Sequence, residues 1–233
     1  MHHSIANPIG NKVYARALAC IFICAITLAL STRFAYASEP WQLYKSNAWL
    51  DIYYRKLPNG LLQVKGHATL DKTTTKSVIG ALTDTDSIPL WVDNIQSVTL
   101  LAAPQENRSL VHTKLNLPWP VADREMLTLS CFSQIEDNQH LLQIRSVFAP
   151  EKSDSLIRIT EIVIDWEFFE RTSGLDITYT AQAQLNGSVP QWLANKASLK
   201  NTQKMLQALK AHLATQQAQL SNWTLLPGDC DGF

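Results

Sequence analysis

Residues 174–213 read GLDITYTAQAQLNGSVPQWLANKASLKNTQKMLQALKAHL, and this stretch decides the fold. Leu175, Ile177, Tyr179, Ala181, Ala183 and Leu185 fall on one parity, the period of two of a strand with one wet face. From Pro190 the period changes. Trp192, Leu193, Ala197, Met205, Leu206, Leu209 and Leu213 recur at threes and fours, with Asn201 as the polar interruption. Lys196, Lys200, Lys204 and Lys210 can stay in water. Pro190 suits a first helical turn, where its missing amide hydrogen has no helical partner to lose. Some 24 residues at 1.5 Å each make a helix of roughly 36 Å, enough to cover a sheet. A strand that feeds a covering helix predicts an α+β architecture.

Upstream, the chain is mostly strands. Trp41 to Asn47 reads as a short opening helix or an irregular arm, and Trp49 to Tyr54 as a strand. Leu57-Pro58-Asn59-Gly60 is a hairpin signal, because glycine takes a positive φ at little cost. Leu62, Val64, Gly66, Ala68 and Leu70 then share one face, with Gln63, Lys65, His67 and Thr69 on the other. Asp71 is placed to cap a helix beginning near Lys72, and Ser87 to Val92 reads as a second short helical turn. Ile95 to Ala103 pairs with Ser109 to Leu117, and Glu125 to Ile135 pairs with His140 to Phe148. Leu156 to Phe169 is strand-like, but its apolar parity switches near Thr160, which predicts a bulge or sharp twist. Strands outnumber helices and no repeat is visible, so the pattern is helix plus antiparallel sheet.

At the other end, Lys12 and Arg16 precede the apolar run Ala17 to Leu30, followed by Ala35-Tyr36-Ala37. That order is the signature of a secretory signal peptide over residues 1–37, cut after Ala37, with an apolar core shorter than the roughly 20 residues of a membrane span. Export to a bacterial periplasm is the expected location, with secretion or a signal anchor as the alternative. The chain holds 20 basic and 20 acidic residues, and losing Lys12, Arg16 and Arg33 with the leader takes the net charge to −3. No Lys/Arg run offsets that balance, so nucleic acid is not an expected partner. Cys20 and Cys24 fall in the leader, leaving Cys131 and Cys230. An oxidising compartment permits a bridge between them, whereas the face that Cys131 shares with Leu127 and Leu129 favours a buried thiol.

No cluster of residues spells out chemistry. His67, His112, His140 and His212 lack metal-ligand spacing, Asp229-Cys230-Asp231 is an incomplete ligand set, and no metal or cofactor is expected. There is no Gly-x-Ser-x-Gly elbow, phosphate loop or His-Glu-x-x-His site, so no catalytic residue is nominated. His112 alternates with Leu110 and Lys114 and reads as solvent-facing; Glu161, Asp165 and Glu167 read as the wet face of their strand.

Two segments carry a family likeness: Pro118-Trp119-Pro120-Val121-Ala122-Asp123-Arg124-Glu125 between strands, and Gly187-Ser188-Val189-Pro190-Gln191-Trp192 at the start of the closing helix. In their order and spacing the chain resembles the START-type lipid-transfer domains, within the wider Bet v 1-like helix-grip superfamily. The resemblance spans about Trp41 to Leu213. It implies a helix-grip fold, a curved antiparallel sheet wrapped around the C-terminal helix, enclosing a cavity for sterols, phospholipids or other apolar molecules. It places a START-like lipid-binding domain at 38–215 and leaves 216–233 as a tail that Trp223, Leu225 and Leu226 could dock. Arg124 matches the family's recurrent arginine after the Pro-rich turn, and Pro190 and Trp192 match the start of the lid helix.

Seven residues are nominated for ligand contact. Arg124 is offered as a polar anchor, or as a structural partner of Asp123 or Glu125. Tyr179 presents a hydroxyl on an apolar face, or simply packs. Trp119 braces its turn or lines the cavity, Trp192 supports a hinge, and Met205, Leu206 and Leu209 face the sheet. The leading expectation is non-enzymatic binding of a lipid or other apolar small molecule, with transfer and transient membrane contact. A small cyclase, aromatase or hydrolase using the same cavity, or a protein-interaction scaffold with a solid interior, are the competing readings.

Overall fold

The computed structural model describes residues 39–119, 121–148, 156–215 and 225–233. The leader, Pro120 and Trp223 lie outside the described residues. In chain order the elements are β1 Gln42–Ser46, β2 Leu50–Lys56, β3 Leu62–Asp71, α1 Thr75–Thr83, α2 Ile88–Trp91, β4 Ile95–Gln105, β5 Arg108–Leu115, β6 Arg124–Glu136, β7 Gln139–Ser146, β8 Ile157–Ile159, β9 Glu161–Arg171, β10 Gly174–Gln184 and α3 Gln191–Thr215. The strands form one sheet in the order β1-β2-β3-β10-β9-β7-β6-β5-β4, and β8 pairs with β6 off that path. Every neighbouring pair is antiparallel except β6–β8. The sheet is curved, open and wrapped around α3, the α+β helix-grip arrangement.

Register fixes which side chains meet the helix. Gly66, Tyr179, Trp166, Leu142 and Phe132 stand opposite one another across β3, β10, β9, β7 and β6. Directly paired residues share a face, and at Gly66 that face meets α3. A Cβ built on Gly66 would lie 2.3 Å from Leu206 Cδ1, so any larger residue there would force the Leu206 side chain to move. α3 packs on β3 and β2 and against α1 and α2. Its buried residues are Thr202, Leu206 and Leu209, and the two leucines contribute roughly 1.5–3 kcal/mol each by leaving water. Leu50, Ile52, Val64, Ala68, Leu70, Trp166, Phe168, Leu175 and Ile177 complete the core beneath them.

Several elements depart from the expectations above. Trp41 to Asn47 supplies an edge strand, β1, paired with β2 through a register shift between Leu43 and Lys45. Its side chains are exposed along its whole length, so it carries no amphipathic pattern to read. The helix after β3 is capped by Thr74 rather than Asp71: the Thr74 side chain accepts from the Ser77 amide and the Ser77 side chain accepts from the Thr74 amide. Lys72 sits at φ 54, outside the helix. At Thr160 the parity switch is a change of partner. Ile157 and Ile159 pair with Arg124 and Met126 of β6, whereas Ile162 and Ile164 face the same side from β9, which pairs with β7. Strand β7 stops at Ser146, and the Ser146 hydroxyl fills the break by donating to Thr160 O at 2.6 Å and accepting from the Ile162 amide at 3.1 Å.

The cysteines pair. Cys131 on β6 is bonded to Cys230, 99 residues later. The tail from 225 to 233 folds onto the β5–β6 end of the sheet: the Leu226 amide donates to Glu106 O, the Gly228 amide to Phe132 O, and Asn107 Nδ2 to Asp229 O. Leu225 is buried with the core. The described part of the tail is therefore docked, not loose.

Candidate functional site

The two family-like segments meet in space through Arg124. As the first residue of β6, this arginine is 1% exposed and lies on the inner face. Its Nε donates to Leu185 O at 3.1 Å, one terminal nitrogen to Asn186 O at 3.1 Å, and the other to Ala122 O. The guanidinium thus ties the Pro-rich turn to the β10–α3 junction, where Gly187 (φ +71) turns the chain toward the helix. Pro190 O then accepts the Leu193 and Ala194 amides, opening α3. Burial holds the Arg124 pKa below its ordinary value.

Neither neighbouring carboxylate partners it. Asp123 Oδ1 accepts the Leu117 amide, closing the turn. Glu125, on the opposite face, meets Arg158 at 2.8 Å and His112 Nε2 at 2.9 Å. His112 is therefore half-buried against a carboxylate instead of facing solvent. Glu161 and Glu167 are exposed and Asp165 pairs with Arg145, as a wet outer face requires.

Tyr179 lies mid-sheet on the inner face, edge-on to Trp166 with ring centroids 4.6 Å apart. Burial raises its phenol above the ordinary value of 10, and its hydroxyl has no hydrogen-bond partner among the described residues. Met205 is half-buried against the same core cluster; Leu206 and Leu209 are fully buried. Trp119 and Trp192 are 92% and 67% exposed. The nominated residues thus divide into four inside the fold, one clamp at its margin and two on its surface.

Part of the inner face away from α3 is not sealed as a solid core would be. Val98, Leu100, Val111, Met126, Ile144, Ile164, Ala181 and Ala183 all lie on the helix side of the sheet by register, and all keep intermediate accessibility. These residues present apolar surface that α3 does not cover. Two clefts of about 330 and 640 Å³ sit largely on the outer face, among Arg145, Glu161 and Gln182, and among His67, Asp165, Glu167 and Asp176. Their charged linings suit water better than hydrocarbon. Among the described residues no group of His, Cys, Asp or Glu is arranged to hold a metal ion.

A buried hydroxyl wall on the β5–β6 inner face was not anticipated from the sequence. It comprises Ser109, Thr113, Thr128 and Ser130. In β5 these alternate with Leu110, His112 and Lys114, so both parities mix polar and apolar residues and neither announces the interior.

Residues 25–219 match the model of the START domain. The chain belongs to the START domain family. A STAR-related lipid transfer protein from Xanthomonas axonopodis is 24% identical to this START chain, covering 76% of it and 99% of the other, with a TM-score of 0.69. Human STARD10 is 20% identical over 82% of this chain and 89% of its own, with a TM-score of 0.63. An uncharacterised protein from Pseudomonas aeruginosa, PA1579, is 22% identical over 162 residues, 68% of this START chain and 79% of the relative. The solved structures establish likeness of fold.

Proposed function

We propose that this START protein holds a lipid-like molecule by non-covalent burial between α3 and the inner face of β4–β7. The observation that carries this reading is the half-accessible apolar surface from Val98 to Ile144, on the side of the sheet where the helix lies. Removing apolar surface from water contributes roughly 25 cal/mol per Å², so a hydrocarbon body is retained with few polar bonds. The description of the Xanthomonas relative as a lipid transfer protein points the same way.

Transfer requires approach to a membrane. Trp119 and Trp192 flank the Arg124 clamp and are exposed, and indole rings favour the lipid headgroup region. They are the residues assigned to transient membrane contact. Export belongs to the same reading: residues 1–37 have the form of a signal peptide, and the Cys131–Cys230 bridge suits an oxidising compartment.

The test is native purification followed by lipid mass spectrometry. A stoichiometric apolar passenger, displaced by competing lipid, is the expected result. Turnover of that passenger into a new compound would replace the carrier with an enzyme, and absence of any passenger together with no uptake of added lipid would overturn the reading.

A further inference from the structure

The inner face is chemically divided. Toward β2, β3, β10 and β9 it is hydrocarbon, from Ile52 and Val64 to Ile177 and Ile162. Toward β5 and β6 it carries hydroxyls. Ser109 and Ser130 satisfy one another, Oγ to Oγ at 2.5 Å. Thr113 and Thr128 are different. They are 6% and 8% exposed, and neither hydroxyl has a hydrogen-bond partner among the described residues. Neither oxygen is among the sealed, unpaired atoms of the interior, so each opens onto space. Thr113 pairs with Met126 and Thr128 with Val111, which makes the two threonines diagonal neighbours on one face. Diagonal side chains across antiparallel strands lie within reach of a shared partner. Nine-tenths-buried hydroxyls without partners are uncommon, and they mark a place for a ligand atom.

We infer that Thr113 and Thr128 form the polar subsite of the cavity and receive an uncharged hydroxyl or carbonyl oxygen on a mainly hydrocarbon ligand. This rests on the cavity reading above and narrows it to a ligand class. The wall offers one hydroxyl to donate and one to accept, and it offers no formal charge. Among the inner-face residues that pair between β5 and β6, Arg124 is the one permanent charge, and each of its three nitrogens already donates to a main-chain carbonyl. A carboxylate or zwitterionic headgroup would be desolvated here without a counter-charge, a cost that a neutral oxygen avoids.

Four fluorescent probes with one polyene tail and different heads separate the possibilities: alcohol, methyl ether, carboxylate and phosphocholine. Delipidated wild-type protein is expected to bind the alcohol about tenfold more tightly than the ether, the effect of one to two net hydrogen bonds, and the charged forms less well than either. In Thr113→Val/Thr128→Val the alcohol preference falls below about twofold while ether affinity is unchanged. Thr113→Ser/Thr128→Ser keeps the hydroxyls and keeps the preference, so a folding defect in the valine variant leaves the question decidable. Equal binding of alcohol and ether, or tighter binding of carboxylate or phosphocholine, overturns the inference and leaves cavity binding standing. A preference that survives the valine substitutions removes it from these threonines. Failure of all four probes to bind wild type overturns the cavity reading itself.

Discussion

Arg124 Nε donates to Leu185 O across 61 residues of sequence, at 3.1 Å. With its bond to Asn186 O, this places the start of β6 and the approach to α3 under one side chain. The approach to α3 is therefore fixed by a guanidinium each of whose nitrogens donates to a main-chain carbonyl. Its role as found is architectural.

Substituting Arg124→Met leaves three carbonyls without their donor, and a buried acceptor left unpaired costs about 1–3 kcal/mol. A loss of about 2–4 kcal/mol in urea unfolding is expected, and Arg124→Lys recovers little because an ammonium lacks the planar fork. The loss should be equal in empty and lipid-loaded protein. A larger loss in the loaded form would show that Arg124 also touches ligand.

Gly66 and Leu206 set the distance between β3 and α3. Gly66→Ala drives a methyl into Leu206 and should cost about 1–3 kcal/mol through overpacking. Leu206→Ala opens a cavity and should cost about 2–5 kcal/mol. The double variant should be more stable than the sum predicts, because the shortened side chain makes room for the methyl. Strict additivity in chemical denaturation would mean that the two do not meet.

The Cys131–Cys230 bridge closes a loop of 99 residues and holds the docked tail. Cys230→Ser should lower stability by about 2–4 kcal/mol, chiefly by freeing the unfolded chain. Reductant should destabilise wild type to the same level and leave the variant unmoved. A reductant effect on Cys230→Ser would point to some other target.

His212, in the last turn of α3, stacks on Trp91 with ring centroids 5.1 Å apart. Burial holds its imidazole below the ordinary 6.5, against the raising influence of Asp84. With the folded value depressed, the unfolded chain takes up the proton first as pH falls through 6.5. The contribution to stability is complete above that value and is lost from there down through the folded value. His212→Phe keeps the stack and removes the proton. Its thermal midpoint should fall less than that of wild type on acidification through this window, and an identical fall would assign the acid sensitivity elsewhere.

Much of the architecture was written in local periodicity. The alternation of Leu175 to Ala183 and the threes and fours of α3 each state a period, and a period is a local property of the chain. Even the partner switch at Thr160 left a trace, because keeping apolar residues on one face across the break shifts their parity. Its cause was hidden: β7 ends at Ser146, and no local feature of residues 156–169 records where another strand stops. β1 was missed because an exposed edge strand with no buried face has no pattern to display.

Sequence by itself determined the strand-to-helix order, the inward parity of β10 and the apolar stripe of α3, since each follows from neighbours in the chain. Only the tertiary structure decided that Arg124 would clamp Leu185 and Asn186, that Cys131 would find Cys230, and that Thr113 and Thr128 would face inward together. Those outcomes depend on register between strands and on tail docking, which spans 122 residues from Asn107 to Asp229. Pairings of that kind are settled by which side chains must share a buried face, and no single segment contains that information.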